Sequence, residues 1–117
     1  MAKKFDVKAI RQKVLASDDV KYDTVYVEEW DTEIPVKTLT GADLKKVMKA
    51  GKDDHIRMTI LAVLYGCETP EGEKVFEEAD LAVFENKKSI KEIAQLAKRI
   101  FELSGLTEDM QQQVKND

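Results

Sequence analysis

The chain has 117 residues, 43% of them hydrophobic and 36% charged, with a formal net charge of −4. That length suits one domain, 1–117, with a core that needs no staples, and the acidic balance argues against nucleic acid as a partner. No apolar stretch approaches the ~20 residues of a membrane span, and a single cysteine, Cys67, excludes an internal disulfide.

The start, "MAKKFDVKAI", lacks the long apolar core of a signal peptide, so the expected location is the cytoplasm. Val7, Ile10 and Val14 recur at helical spacing within residues 6 to 16, between lysines. Residues 1–20 therefore read as a basic N-terminal helix. Its charges are Lys3, Lys4, Lys8, Arg11 and Lys13 against Asp6, and the simplest reading is a solvated face. "SDDVKYD" breaks the pattern with turn-forming residues.

From Thr24 to Trp30 the chain is rich in β-branched and aromatic types, with Val25 and Val27 opposite Tyr26, Glu28 and Trp30. Asp31, Thr32 and Glu33 can form a three-residue connection, after which Ile34, Val36 and Thr38 share a face. Pro35 lacks a backbone donor, so this second strand should sit at an edge or keep that position unpaired. The segment reads as a β-hairpin.

Thr40 and Asp43 resemble a capping box, followed by an inward face of Leu44, Val47 and Met48 and a left-handed stop at Gly51. Residues 53 to 65 form the most apolar helix, with Ile56, Ile60, Val63 and Leu64 along one side, and should lie centrally. "GCETPEGEK" is a turn, and a short helix carrying Leu81 and Phe84 follows the acidic run Glu77, Glu78 and Asp80. The last long helix opens on a Ser89–Glu92 capping box and repeats Ile90, Ile93, Ala94, Ala97, Ile100 and Phe101 at helical spacing. Gly105 stops it, and 107–117 reads as a polar, frayed tail. The expected fold class is α+β, mainly α: an N-terminal helix, one β-hairpin, then a bundle of three to four helices. Its core should centre on Ile56, Ile60, Leu64, Ile93, Ile100 and Phe101.

No residue set carries an enzymatic signature. Glu28 and Glu29, as neighbours on a strand, point to opposite faces and cannot act as a pair. Asp53, Asp54 and His55 have no second ligand cluster to complete a metal site, and Cys67 and His55 lie about three helical turns apart. No cofactor is expected. Tyr22, Tyr26 and Trp30 cluster by parity on one hairpin face. Covered by helices, that face is core, which is the preferred reading; uncovered, it is an interaction patch. Tyr22, Tyr26, Trp30 and Ile34 are accordingly the candidate partner-binding residues, and the hairpin edge beyond Pro35 is a second docking surface.

The order of elements carries a resemblance. Trp30 precedes a short strand, and a second strand leads to Leu39-Thr40-Gly41 and an acidic helix. An apolar helix with Arg57 follows, then a turn with Gly72, the segment Phe76 to Asp80, the pair Lys88-Ser89, and a long helix ending "LSGL" at Leu103 to Leu106. Over residues 22 to 115 this is similar to the tail assembly chaperones of long-tailed (siphovirus-type) bacteriophages; the basic N-terminal helix lies largely outside the match. Glu77 stands where relatives often carry a serine or threonine cap, and Thr69-Pro70 where they are more acidic.

The resemblance implies a non-enzymatic protein that binds the tape measure protein, keeps it soluble and promotes tail tube polymerisation around it. It implies the host cell cytoplasm, absence from the mature virion and, where a frameshift-extended form is made, contact with the major tail tube protein. The residues alone also suit a small cytoplasmic adaptor or regulatory protein that binds a peptide or partner domain.

Overall fold

The computed structural model describes residues 4–106; the tail expected at 107–117 lies outside them, as does Lys3. Helix α1 (Val7–Ala16) leads to strands β1 (Tyr22–Val27) and β2 (Thr32–Lys37), which pair antiparallel. Four helices follow: α2 (Gly41–Ala50), α3 (His55–Gly66), α4 (Leu81–Lys87) and α5 (Ile90–Leu103). This is the mainly α, α+β class that the sequence pattern predicts.

The hairpin differs from expectation at its tip. β1 ends at Val27, and Glu28–Trp30 wind into a single 3-10 turn closed by Asp31, which takes a left-handed φ of 46°. The connection is therefore residues 28–31, not 31–33, and Trp30 leaves the strand's alternation. Register runs from Tyr22 opposite Lys37 to Val27 opposite Thr32. Thr38 N donates to Lys21 O at 2.9 Å, so hydrogen-bonded pairs fall at every second position from there. Pro35, opposite Thr24, lands on a non-bonded pair. Its missing donor costs the ladder nothing and blunts the free edge.

The core lies between the hairpin's inner face and α3, α4 and α5. Val27, Ile34 and Val36 from the hairpin meet Ile60, Leu61, Leu64, Phe84, Ile93, Leu96 and Ile100 there. From Met58 to Gly66 every residue of α3 except Thr59 is buried, which makes it the central helix. Gly66 allows the closest approach: a Cβ there would sit 2.7 Å from Ile100 Cδ1, so the end of α3 packs directly on α5. α5 packs on both strands as well as on α3. Its stop is a left-handed Gly105, φ 73°, with Leu106 N donating to Phe101 O and Gly105 N to Glu102 O.

Several local expectations change. Ile60, Leu64, Ile93 and Ile100 are buried, but Ile56 is 54% exposed and Phe101 only half-buried. Leu96 takes the core position instead. Ile56 sits in the first turn of α3, where the described elements leave half of it in solvent. On α2 only Val47 is buried among the three apolar residues expected inward; Leu44 is half-buried and Met48 exposed. Gly51 ends α2 with a negative φ, and its side-chain position is filled by Met58.

The Thr40–Asp43 capping box forms. The Ser89–Glu92 box does not: Ser89 Oγ accepts from Lys91 N at 3.2 Å, and Glu92 turns inward. At the 3-10 turn Glu78–Asp80, Asp80 Oδ2 accepts from Glu77 N at 2.9 Å and Asp80 N donates to Glu77 O, bonds that need no hydroxyl at position 77.

Candidate partner-binding surface

α1 starts cleanly, because Asp6 accepts from Ala9 N at 3.1 Å, yet it buries none of its residues. Phe5, Val7, Ile10, Val14 and Leu15 are all exposed, so the apolar stripe read from the sequence has no cover among the described residues. The molecule measures 65 × 32 × 24 Å.

A second exposed apolar surface lies between the first turn of α3 and one face of α5. α3 and α5 touch where Gly66 meets Ile100, and the start of α3 leaves a groove of about 250 Å³ against α5. Ile56, Ile90, Ala94, Ala97 and Phe101 line it, with His55, Thr59 and Lys98 at its polar margins. Ile56 and Ile90, at 54% and 50% exposed, are its most prominent apolar groups. Ile56 was expected in the core, and Ile90 shares the helical spacing of the apolar residues of α5. α5 carries more apolar positions than its neighbours can cover, and the surplus faces this groove.

The hairpin residues divide. Tyr22 and Tyr26 point away from the helices and are 37% and 51% exposed, so the core reading of that face does not hold for them. The Tyr26 hydroxyl bonds to Asp31 across the tip. Trp30, off the strand, packs edge-on against Phe84 at 6.5 Å, with Lys88 Nζ 5.5 Å from its ring centre. Ile34 gives its side chain to the core. The four candidates thus do not form one patch: two are exposed, one half-buried and one buried.

The groups considered for chemistry are separated or sequestered. His55 and Cys67 stand at opposite ends of α3, about 18 Å apart along its axis. Cys67 is fully buried, and burial pushes its thiol up to about 12, which suppresses the thiolate. Among the described residues no three histidine, cysteine or acidic side chains are placed to hold a metal ion, and no helix is long and apolar enough to cross a membrane. Glu28 and Glu29, however, need correction. In the 3-10 turn they line one cavity together, where strand alternation would have kept them apart.

A hairpin with an α1 arm, a central α3 and an α5 grooved on its outer side is a distinctive arrangement. No family model and no curated protein matches the sequence. Its architecture does find a counterpart in the structure of the bacteriophage HK97 tail assembly chaperone, at a TM-score of 0.60, covering 84% of this chain and 95% of that one. The fold is that of a tail assembly chaperone. Identity over the match is 14%, so what is shared is backbone architecture. In this fold the groove, the α1 arm and the outer tyrosines are exposed among the described residues.

Proposed function

We propose that this chain is a non-enzymatic tail assembly chaperone of a long-tailed bacteriophage. In this reading it binds the tape measure protein, keeps it soluble and promotes tail tube polymerisation around it. The observation that carries the reading is the fold match across 95% of the HK97 chaperone chain. The order of sequence features from Trp30 to Leu106 supports it independently.

The groove of α3 and α5 gives the proposal a contact surface. An amphipathic helix of the partner lays an apolar face against Ile56, Ile90 and Phe101, the usual way a groove between helices holds a third. Burying each exposed isoleucine contributes about 1 kcal/mol. Tyr22 and Tyr26 offer a second contact on the outer hairpin face, with Trp30 at its border, while Ile34 acts from the core by holding the strand in place. The complex forms in the host cell cytoplasm and the chaperone is absent from the mature virion. Contact with the major tail tube protein falls to a frameshift-extended form where one is made.

Co-expression of the tape measure protein with and without this chain, followed by pull-down at low and high salt, tests the proposal. The partner should be soluble only with the chaperone, and a complex held by apolar burial should persist at high salt. Ile56→Asp and Ile90→Asp should abolish the complex while the chain stays folded, since both positions are half-exposed. Equal solubility in both cultures, with no complex at either salt, would refute the chaperone reading and leave the adaptor.

A further inference from the structure

Where the hairpin tip meets the start of α5, Tyr26, Glu28, Glu29, Lys91, Glu92 and Gln95 enclose a cavity of about 210 Å³. Glu92 is 5% exposed, and its Oε2 is out of solvent with no hydrogen-bond partner among the described residues. The local cap that would have satisfied it, the Ser89 amide, is not used. Gln95 directs its amide to Tyr26 O at 3.2 Å, and Arg99, farther along the helix, is engaged by Asp23 at 2.8 Å and Glu102 at 3.6 Å. Three carboxylates therefore share this cavity with one ammonium, that of the exposed Lys91. A buried carboxylate oxygen without a hydrogen-bond partner is unfavourable, and a cation at hydrogen-bond distance relieves it.

We propose that this cavity binds a cationic side chain, the guanidinium of arginine or the ammonium of lysine, carried on a partner polypeptide. Glu92 is the buried counter-ion, and the exposed Glu28 and Glu29 draw the cation in. Arginine fits best, because its planar fork can engage two carboxylates at once. Two sources supply this chemistry: the exposed basic face of α1 on a second copy, with Lys8, Arg11 and Lys13, or a basic residue of a different protein. The site stands on the geometry of Glu92 and not on the chaperone reading.

Titration of the full ¹⁵N-labelled chain with arginine amide, with citrulline amide as the neutral isostere, tests the site. Arginine amide should give saturable shifts centred on Glu28, Glu29, Glu92 and Gln95; citrulline amide should give none. Glu92→Gln should weaken binding at least tenfold, and Glu28→Gln with Glu29→Gln, both at exposed positions, should weaken it by a smaller factor. Equal shifts with citrulline amide, no saturable shift, or unchanged binding by Glu92→Gln would overturn the proposal. Sedimentation of the wild type and of Arg11→Glu assigns the source. Self-association lost in both Arg11→Glu and Glu92→Gln supports the site with α1 of a second copy as its occupant. A monomer that still binds arginine amide supports it with a different protein.

Discussion

Lys37 Nζ donates to Asp43 Oδ2 at 2.8 Å, with both residues almost wholly out of solvent. The same carboxylate oxygen accepts from Thr40 N at 3.1 Å, so one acidic group closes the N-terminus of α2 and holds the end of β2 against it. Lys37 also lies 4.0 Å from Glu68, which reaches Lys74 at 3.6 Å across the turn after α3. Lys37→Met should therefore cost about 3–5 kcal/mol in urea unfolding, since it strands a buried carboxylate. A loss below about 1 kcal/mol would mean that solvent reaches Asp43 freely.

The same pair sets a pH dependence. Burial raises Asp43, but the hydrogen bonds from Lys37 and from the Thr40 amide outweigh it and hold the carboxyl below its ordinary value. The unfolded chain then takes up this proton first, so the stabilisation is present above about pH 4 and lost as pH falls through the folded value. The stability difference between the wild type and Asp43→Asn should be largest near neutrality and shrink towards pH 2. Denaturant midpoints across that range measure it.

Burial separates isoleucines that the sequence pattern grouped together. Ile60→Ala and Ile93→Ala should each cost about 2–5 kcal/mol, as fully enclosed side chains do. Ile56→Ala should cost under about 1 kcal/mol, because half of that side chain is already in solvent. Equilibrium unfolding of the three variants decides whether α3 is oriented as described.

Close approach of α3 to α5 depends on a missing side chain. A methyl at Gly66 would meet Ile100 Cδ1 at 2.7 Å and Cγ2 at 2.8 Å, and Ile100 is itself fully buried. Gly66→Ala should destabilise by about 1–3 kcal/mol despite alanine's better helix propensity. Gly66→Ala combined with Ile100→Val should recover part of that loss, measured by the same unfolding assay.

Cys67 should be inert in the folded protein. Its thiol is pushed up to about 12 by burial, so almost no thiolate exists at neutral pH. Folding keeps this group neutral; that stabilising contribution is complete below the unfolded value of about 8.5 and is lost as pH rises towards the folded one. Iodoacetamide at about pH 8 should label Cys67 only at the rate at which the chain opens, and rapidly in urea.

Features decided by a few neighbouring residues were legible in the sequence. The Thr40–Asp43 cap, the stop at Gly105, the apolar run of α3 and the hairpin itself rest on hydrogen bonds and periodicities confined to one element. The order of those elements was enough to carry the chaperone resemblance, which the fold match bears out. Which apolar face is covered was not legible. Ile56 and Ile93 obey the same helical spacing, yet one is exposed and the other enclosed, because cover comes from elements distant in the chain. The candidate surfaces follow the same division. Tyr22 and Tyr26 were visible as an aromatic pair, but only packing left their face open. Glu28 and Glu29 were assigned opposite faces by strand alternation, and the turn at the hairpin tip brought them together beside Glu92. Alternation and helical period describe a chain with one neighbour on each side, whereas burial, and the cost of an unpaired charge within it, is set by every element that packs around a residue.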